Sequence, residues 1–173
     1  MIAAVVLAAG AASRFGGPKQ RLFLPAVVEQ LRAGGVERIV VVEGAHPLAD
    51  VVPAGVELVR CEDWARGRGA SLRAGLAALG DDVKAALVVL ADGPNLDPRA
   101  VERVLAHRTE AQALAASYAG VRGHPVYLAR DVWHLVPDEG MQTFPARLVA
   151  CDDLEPPGDV DYDPGIIRPR AAR

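Results

Sequence analysis

A chain of 173 residues has room for one domain with a substantial core. It is 51% hydrophobic and 24% charged with only 5% aromatics, so the core must be built from Val, Leu, Ile and Ala. A formal charge of -3 without long runs of one sign leaves no footprint for nucleic acid or an anionic membrane, and Cys61 and Cys151 are too isolated for a disulfide framework or a zinc site.

The opening stretch IAAVVLAAGAA is apolar, but it is too short to cross a membrane and lacks the basic flank of a signal peptide. It reads as a buried strand over 2–8, and with the isolated cysteines it points to a reducing cytoplasm. Similar apolar runs predict strands over 38–42, 56–60 and 85–90. Between them, helices are expected over 26–32 behind Pro25, over 71–79 with Leu72, Leu76 and Leu79 on one face, and over 100–108. Asp97 followed by Pro98 reads as an N-cap with proline in the first helical position.

The second half is less regular. It suggests strands over 111–117, 125–128 and 147–151, a short helix over 131–136, and a poorly ordered tail after Asp163. Alternating strands and helices imply a three-layer α/β/α, Rossmann-like fold in a single domain, with a mostly parallel sheet. In such sheets ligands bind at the carboxyl ends of the strands.

The loop after the first strand, within LAAGAASRFGGPK, holds Gly10, Gly16 and Gly17 together with Ser13, Arg14 and Lys19. Glycines let backbone N–H groups approach a phosphate, and the two cations add charge. Lys19 stands out because the chain has only two lysines against seventeen arginines. The loop is neither a Walker A motif nor a dinucleotide fingerprint: Pro18 precedes the lysine, Gln20 follows it, and the second glycine of GxGxxG is absent.

The stretch does resemble the signature LAAGxSxRxGxPK of the MobA-like nucleotidyltransferases, matching at Leu7, Ala8, Ala9, Gly10, Ser13, Arg14, Gly16, Pro18 and Lys19. The likeness continues in order. DWARGRGASLRAGL, over 63–76, is similar to the family's DWxxGMSSSLRAGL, and VVLADGP, ending at Pro94, to its metal-binding VLLGDQP. RGHPV, over 122–126, resembles a motif of the molybdopterin cytidylyltransferase branch, and GDVDYD, over 158–163, the family's closing D-x-D-T-P-E-D.

The resemblance implies attack by an acceptor phosphate on the α-phosphorus of a nucleoside triphosphate, with pyrophosphate leaving. That chemistry needs alignment and charge neutralisation more than a covalent nucleophile. Lys19 would meet charge on the α-phosphate, while Arg14 and the amides from Gly10 to Gly16 would hold the outer phosphates. Asp92, directly after a buried apolar run, would hold Mg²⁺ with Asp161, or its neighbour Asp159, as the remote acid. Gly69 and Ser71 would lie near the nucleobase and His124 near the acceptor. The LAAG form, with a Cβ at Ala9, favours CTP. Molybdopterin is the acceptor so implied, and a molybdoenzyme the recipient of the product. Trp64 and Trp133 read as packing.

The chain departs from the pattern in three places. The LGGxPLL segment after the PK pair is missing, Gly93 follows Asp92 where the family carries Gln or Met, and the usual final helix does not follow DYDPG. These departures touch the acceptor half. They keep open a nucleotide-binding or cofactor-delivery protein with weakened transfer as an alternative, while an oxidoreductase lacks the dinucleotide fingerprint.

Overall fold

The computed structural model describes residues 1–11 and 19–158. Seven strands form one sheet: β1 (Ile2–Ala8), β2 (Arg38–Glu43), β3 (Glu57–Arg60), β4 (Ala85–Leu90), β5 (Ala113–Tyr118), β6 (Val121–Ala129) and β7 (Arg147–Ala150). Their order across the sheet is β3-β2-β1-β4-β6-β5-β7. All pairings are parallel except those of β6, which runs antiparallel to both β4 and β5. This is the mostly parallel α/β sheet that the alternating pattern predicts.

β1 and β4 have the bounds expected from their apolar runs, because each is covered on both faces. Ala4, Val6 and Ala8 of β1 and Leu87 and Val89 of β4 point into one core with Leu24, Val27, Val28 and Leu31 of α1 (Gln20–Ala33). That core also takes Ala100, Val101 and Val104 of α3 (Pro98–Ala106). The alternate residues Ala3, Val5, Ala86 and Val88 face the second core, with Leu72 and Leu76 of α2 (Arg68–Ala77). A period of two along each strand thus supplies both layers of helices.

Two helices begin earlier than their sequence suggests. α1 starts at Gln20 and carries Pro25 inside it at an exposed position. The stripe Leu24, Val27, Val28, Leu31 anchors the helix firmly enough to tolerate the hydrogen bond that proline removes. α2 starts at Arg68 with Gly67 as its cap, so Ser71 is its fourth residue. α3 has the expected cap, the Asp97 carboxylate accepting from the Arg99 N–H at 2.9 Å with Pro98 next, but it runs from Pro98 to Ala106 and not over 100–108.

β6 is longer than the expected strand over 125–128. It turns back from β5 through Ala119 and Gly120, both at positive φ, the geometry of a tight hairpin, and carries a cis peptide at His124–Pro125. The expected short helix over 131–136 is a 3-10 helix, Arg130–Leu135. Trp133 there donates to the Leu128 carbonyl at 3.2 Å and lies under the Arg130 guanidinium, a packing role. Cys61 and Cys151 are buried and unpaired. No helix among the described residues is long and apolar enough to cross a membrane. The tail after Asp163 lies outside the described residues.

Candidate active site

The carboxyl ends of β1 and β4 open on a cleft of about 250 Å³. Leu7, Ala9 and Gly10 form one wall, continuing the chain out of β1. Leu90 and Asp92 come from the end of β4, Gln20 from the first turn of α1, and Gly67, Arg68 and Ser71 from the start of α2. Trp64, on the 3-10 turn Trp64–Arg66, closes the remaining side. A larger groove of about 740 Å³ lies elsewhere, lined by Val132, Leu135, Phe144, Pro145 and neighbours; it is mostly apolar and holds none of the residues singled out by sequence.

Lys19 and Asp92 meet at the mouth of this cleft. The Lys19 ammonium lies 2.9 Å from the Asp92 carboxylate, with the two side chains only 10% and 17% exposed. One is delivered by the residue preceding α1, the other by the turn after β4. Seventy-three positions apart in sequence, they are neighbours because β1 pairs with β4 in the centre of the sheet.

Gln20 is buried beside them. Its Nε2 donates to the Gly10 carbonyl at 3.0 Å, which fixes the first residue of the glycine-rich loop, while its Oε1 has no hydrogen-bond partner among the described residues. Further round, residues 136–141 run across the start of α2 as a strap. The Asp138 carbonyl accepts from the Gly69 N–H at 3.0 Å, and Arg73 donates to the Val136 carbonyl at 2.9 Å while pairing with the Asp138 carboxylate. Two glycines permit this approach. Gly67 sits at φ +131°, and a Cβ on Gly69 would stand 1.9 Å from the Pro137 carbonyl oxygen.

His124 lies on β6, two residues before the Val126 that pairs with Val88, and so toward the same end of the sheet as Asp92. Its Nδ1 donates to the Val88 carbonyl at 3.3 Å, which leaves Nε2 as an acceptor. Burial pushes its pKa down to about 4, opposed by that hydrogen bond and reinforced by the charges of Arg68 and Arg122. The imidazole is therefore neutral at physiological pH.

A carboxylate in such a cleft suits a hard, oxygen-seeking cation, which takes one or two protein carboxylates and completes its shell with phosphate oxygens and water. Asp92 fits that description, and no cluster of three or more His, Cys, Asp or Glu exists among the described residues to suggest a different metal chemistry. The expected second acid, Asp161, and its neighbour Asp159 lie outside the described residues, as do Ser13, Arg14 and Gly16.

The MobA-like NTP transferase domain matches residues 4–143, which spans β1 through the strap and takes in every element that lines the cleft. The chain belongs to this family. Comparison with curated proteins gives no match. Among solved structures, Rv0371c from Mycobacterium tuberculosis H37Rv is similar, at 28% identity over 93% of each chain and a TM-score of 0.79. A second structure of Rv0371C, a complex with manganese, gives 25% identity over 94% of this chain and 92% of that one, with a TM-score of 0.75. A nucleotidyl transferase from Methanothermobacter, Mth528, shares the fold at a TM-score of 0.74 and 24% identity, covering 94% and 92%.

As a MobA-like nucleotidyltransferase domain, the chain places its sequence-predicted residues unevenly around the cleft. Leu7, Ala9, Gly10, Ser71 and Asp92 line it, and Lys19 is bonded to Asp92 at its edge. Ala8 instead points into the core shared with α1, and the Gly69 amide is taken by Asp138. Gln20, Trp64 and Arg68 line the cleft without having been singled out for it. Gln20 follows Lys19 directly and Arg68 stands in the second glycine-rich loop, so adjacency to the motifs was the available signal; Trp64 gave none beyond packing.

Proposed function

We propose that this nucleotidyltransferase moves CMP from CTP to a phosphorylated acceptor of the molybdopterin type, releases pyrophosphate, and requires Mg²⁺. The observation that carries the reading is the Lys19–Asp92 pair at the carboxyl end of the central strands, in the cleft that Gly10 also lines. An acceptor phosphate oxygen forms the new bond to the α-phosphorus as the bond to the pyrophosphate oxygen breaks. Lys19 would hold the charge on the α-phosphate, a task suited to a compact ammonium with three donors. Arg14, Ser13 and the loop amides through Gly16 would hold the outer phosphates. Asp92, with Asp161 as the second acid, would hold the metal ion, which when bound neutralises phosphate charge.

The base preference rests on the LAAG form at residues 7–10. Ala9 is 5% exposed and its methyl faces the position of Gly44, against which Trp64 packs. Ala9 and Trp64 both line the cleft, where a pyrimidine would ask for less room than a purine. Ser71, which lines the cleft, would hydrogen-bond the base. The product would pass to a molybdoenzyme.

One feature favours a second reading. α1 opens at Gln20, directly after Lys19, so the segment that usually follows the PK pair has no counterpart here. A protein that binds the nucleotide and delivers a cofactor without efficient transfer would retain the nucleotide half and dispense with that segment.

The test is a thermal-shift panel of the four nucleoside triphosphates with Mg²⁺ or Mn²⁺, followed by pyrophosphate release with molybdopterin as acceptor. Stabilisation by CTP, with turnover abolished in Lys19→Ala, supports the enzyme. A ligand at 100 times its Kd adds about 2.7 kcal/mol, which is readily seen. CTP binding without turnover on the acceptor supports the delivery reading, and no shift with any triphosphate overturns both.

A further inference from the structure

Where the chain leaves β1, three consecutive carbonyls are each held by another part of the molecule. The Ala9 oxygen accepts from the Ala45 N–H at 3.0 Å, the Gly10 oxygen from Gln20 Nε2 at 3.0 Å, and the Ala11 oxygen from His46 Nε2 at 2.9 Å. A carbonyl can only accept, so both side-chain nitrogens are donors here. Topology explains two of these holds. β2 runs parallel to β1 with Glu43 opposite Ala8, so residues 44–46 leave the sheet alongside residues 9–11. Gly44 permits the close approach, since a Cβ there would stand 2.8 Å from the Ala9 Cβ. Behind His46 the turn is closed by the buried Glu43 carboxylate, which accepts from the Leu48 N–H at 2.7 Å.

The hold by Gln20 works against the stability of the fold. Gln20 stands four residues before Leu24, on the buried stripe of α1 that continues through Val27, Val28 and Leu31. Packing alone would put an apolar side chain there. Gln20 is instead buried with an Oε1 that has no hydrogen-bond partner among the described residues, and its one bond reaches Gly10, an exposed residue whose carbonyl could turn to water. A planar trans peptide points its C=O and its N–H in opposite directions. Holding the Ala9 and Gly10 carbonyls therefore fixes the Gly10 and Ala11 N–H groups as well, and neither of these bonds to a described residue.

We propose that Gln20 and His46 are positioning residues for triphosphate binding, acting through the backbone at Gly10 and Ala11. Gln20 holds the carbonyl before Ala11 and His46 the carbonyl of Ala11 itself, so the peptide planes on both sides of that residue are set. Gly10 lines the cleft, and donors fixed in advance need no reorganisation when a charged ligand enters. The inference rests on the nucleotidyltransferase reading and adds to it the side chains that orient the entry of the chain into the cleft.

The test uses the full chain, with urea denaturation in the absence of ligand and calorimetric titration in the presence of Mg²⁺. The titrant is whichever non-hydrolysable analogue of the four nucleoside triphosphates binds wild type most tightly. Gln20→Met keeps the length of the side chain and removes both its donor and its orphan acceptor. Its affinity is expected to fall about tenfold, the scale of one oriented hydrogen bond, while its urea midpoint equals or exceeds that of wild type. His46→Ala should also weaken binding, and His46→Gln, which keeps a terminal N–H donor, should recover most of the loss. Unchanged affinity in Gln20→Met, or equal losses in His46→Ala and His46→Gln, overturns the positioning role. A Gln20→Met midpoint below wild type also overturns it, by making Gln20 a residue of the fold. Failure of every analogue to bind wild type would instead overturn the nucleotidyltransferase reading. Amide exchange at Gly10 and Ala11 without ligand would then still decide the hold itself: it should be faster in Gln20→Met, and equal rates would overturn it.

Discussion

Lys19 and Asp92 form an ion pair at 2.9 Å in which both side chains are largely shielded from water. The same two groups are the cation and the carboxylate that the proposed chemistry needs for phosphate and metal, so each holds the other's charge before ligands enter. A shielded pair is costly to break by halves, since the partner left behind keeps its desolvation without its counter-charge. Lys19→Met and Asp92→Asn are each expected to destabilise the protein by about 3 kcal/mol, and the double variant by clearly less than their sum. Urea denaturation of the four proteins reads this coupling. Additive losses would show that the pair contributes no mutual stabilisation.

A pH-dependent loss of stability should come from His124. Its folded pKa is about 4 against about 6.5 for a free imidazole. Between those values the unfolded chain takes up a proton that the folded chain refuses. The stability is therefore fully present above pH 6.5 and declines as pH falls toward 4. From pH 7.5 to pH 5 the contribution amounts to about 2 kcal/mol. His124→Gln, neutral in both states, should flatten denaturation free energies over that interval relative to wild type. Parallel profiles for the two proteins would show that the ring titrates as freely in the folded state.

What the sequence discloses here is local. The apolar runs of β1 and β4 have the bounds that double burial requires, and the Asp97–Pro98 cap stands where its chemistry predicts. Asp92 was legible because a carboxylate directly after such a run has few reasons to be there. The parts that were not legible are relationships across the chain. Nothing near Gly69 announces that residues 136–141 cross over it, and nothing near Ala8 says which face of β1 turns to α1. The early start of α1 was hidden because Pro25 reads as a helix boundary. Tertiary packing of Leu24, Val27, Val28 and Leu31 overrides that signal and carries Gln20 into the cleft.

The strap over α2 makes Gly69 a sensitive position. A methyl group there would lie 1.9 Å from the Pro137 carbonyl oxygen and 2.8 Å from the Asp138 Cα, both backbone atoms that cannot rotate aside. Gly69→Ala must displace the strap and stretch the Gly69–Asp138 hydrogen bond. Overpacking of this kind costs about 1–3 kcal/mol. The expected result is a lower melting temperature together with faster amide exchange over 136–141. If Gly69→Ala melts with wild type, the strap does not hold the start of α2.

Asp97 offers the opposite case, a stabilising residue remote from the cleft. Its carboxylate accepts the Arg99 N–H at 2.9 Å and pairs with the Arg99 guanidinium, and these contacts lower its pKa, the Arg99 side chain contributing most. Asp97→Ala leaves an orphan donor in the first turn of α3 and should cost about 1 kcal/mol, as loss of an N-cap usually does. Asp97→Asn keeps the cap acceptor but loses the charge, so it should recover most of that loss, because an exposed ion pair adds little. Triphosphate affinity should be the same in both variants, since α3 packs against α1 and the sheet on the face away from α2. A large drop in triphosphate affinity in Asp97→Asn would instead connect the start of α3 to the cleft through the turn that follows Asp92.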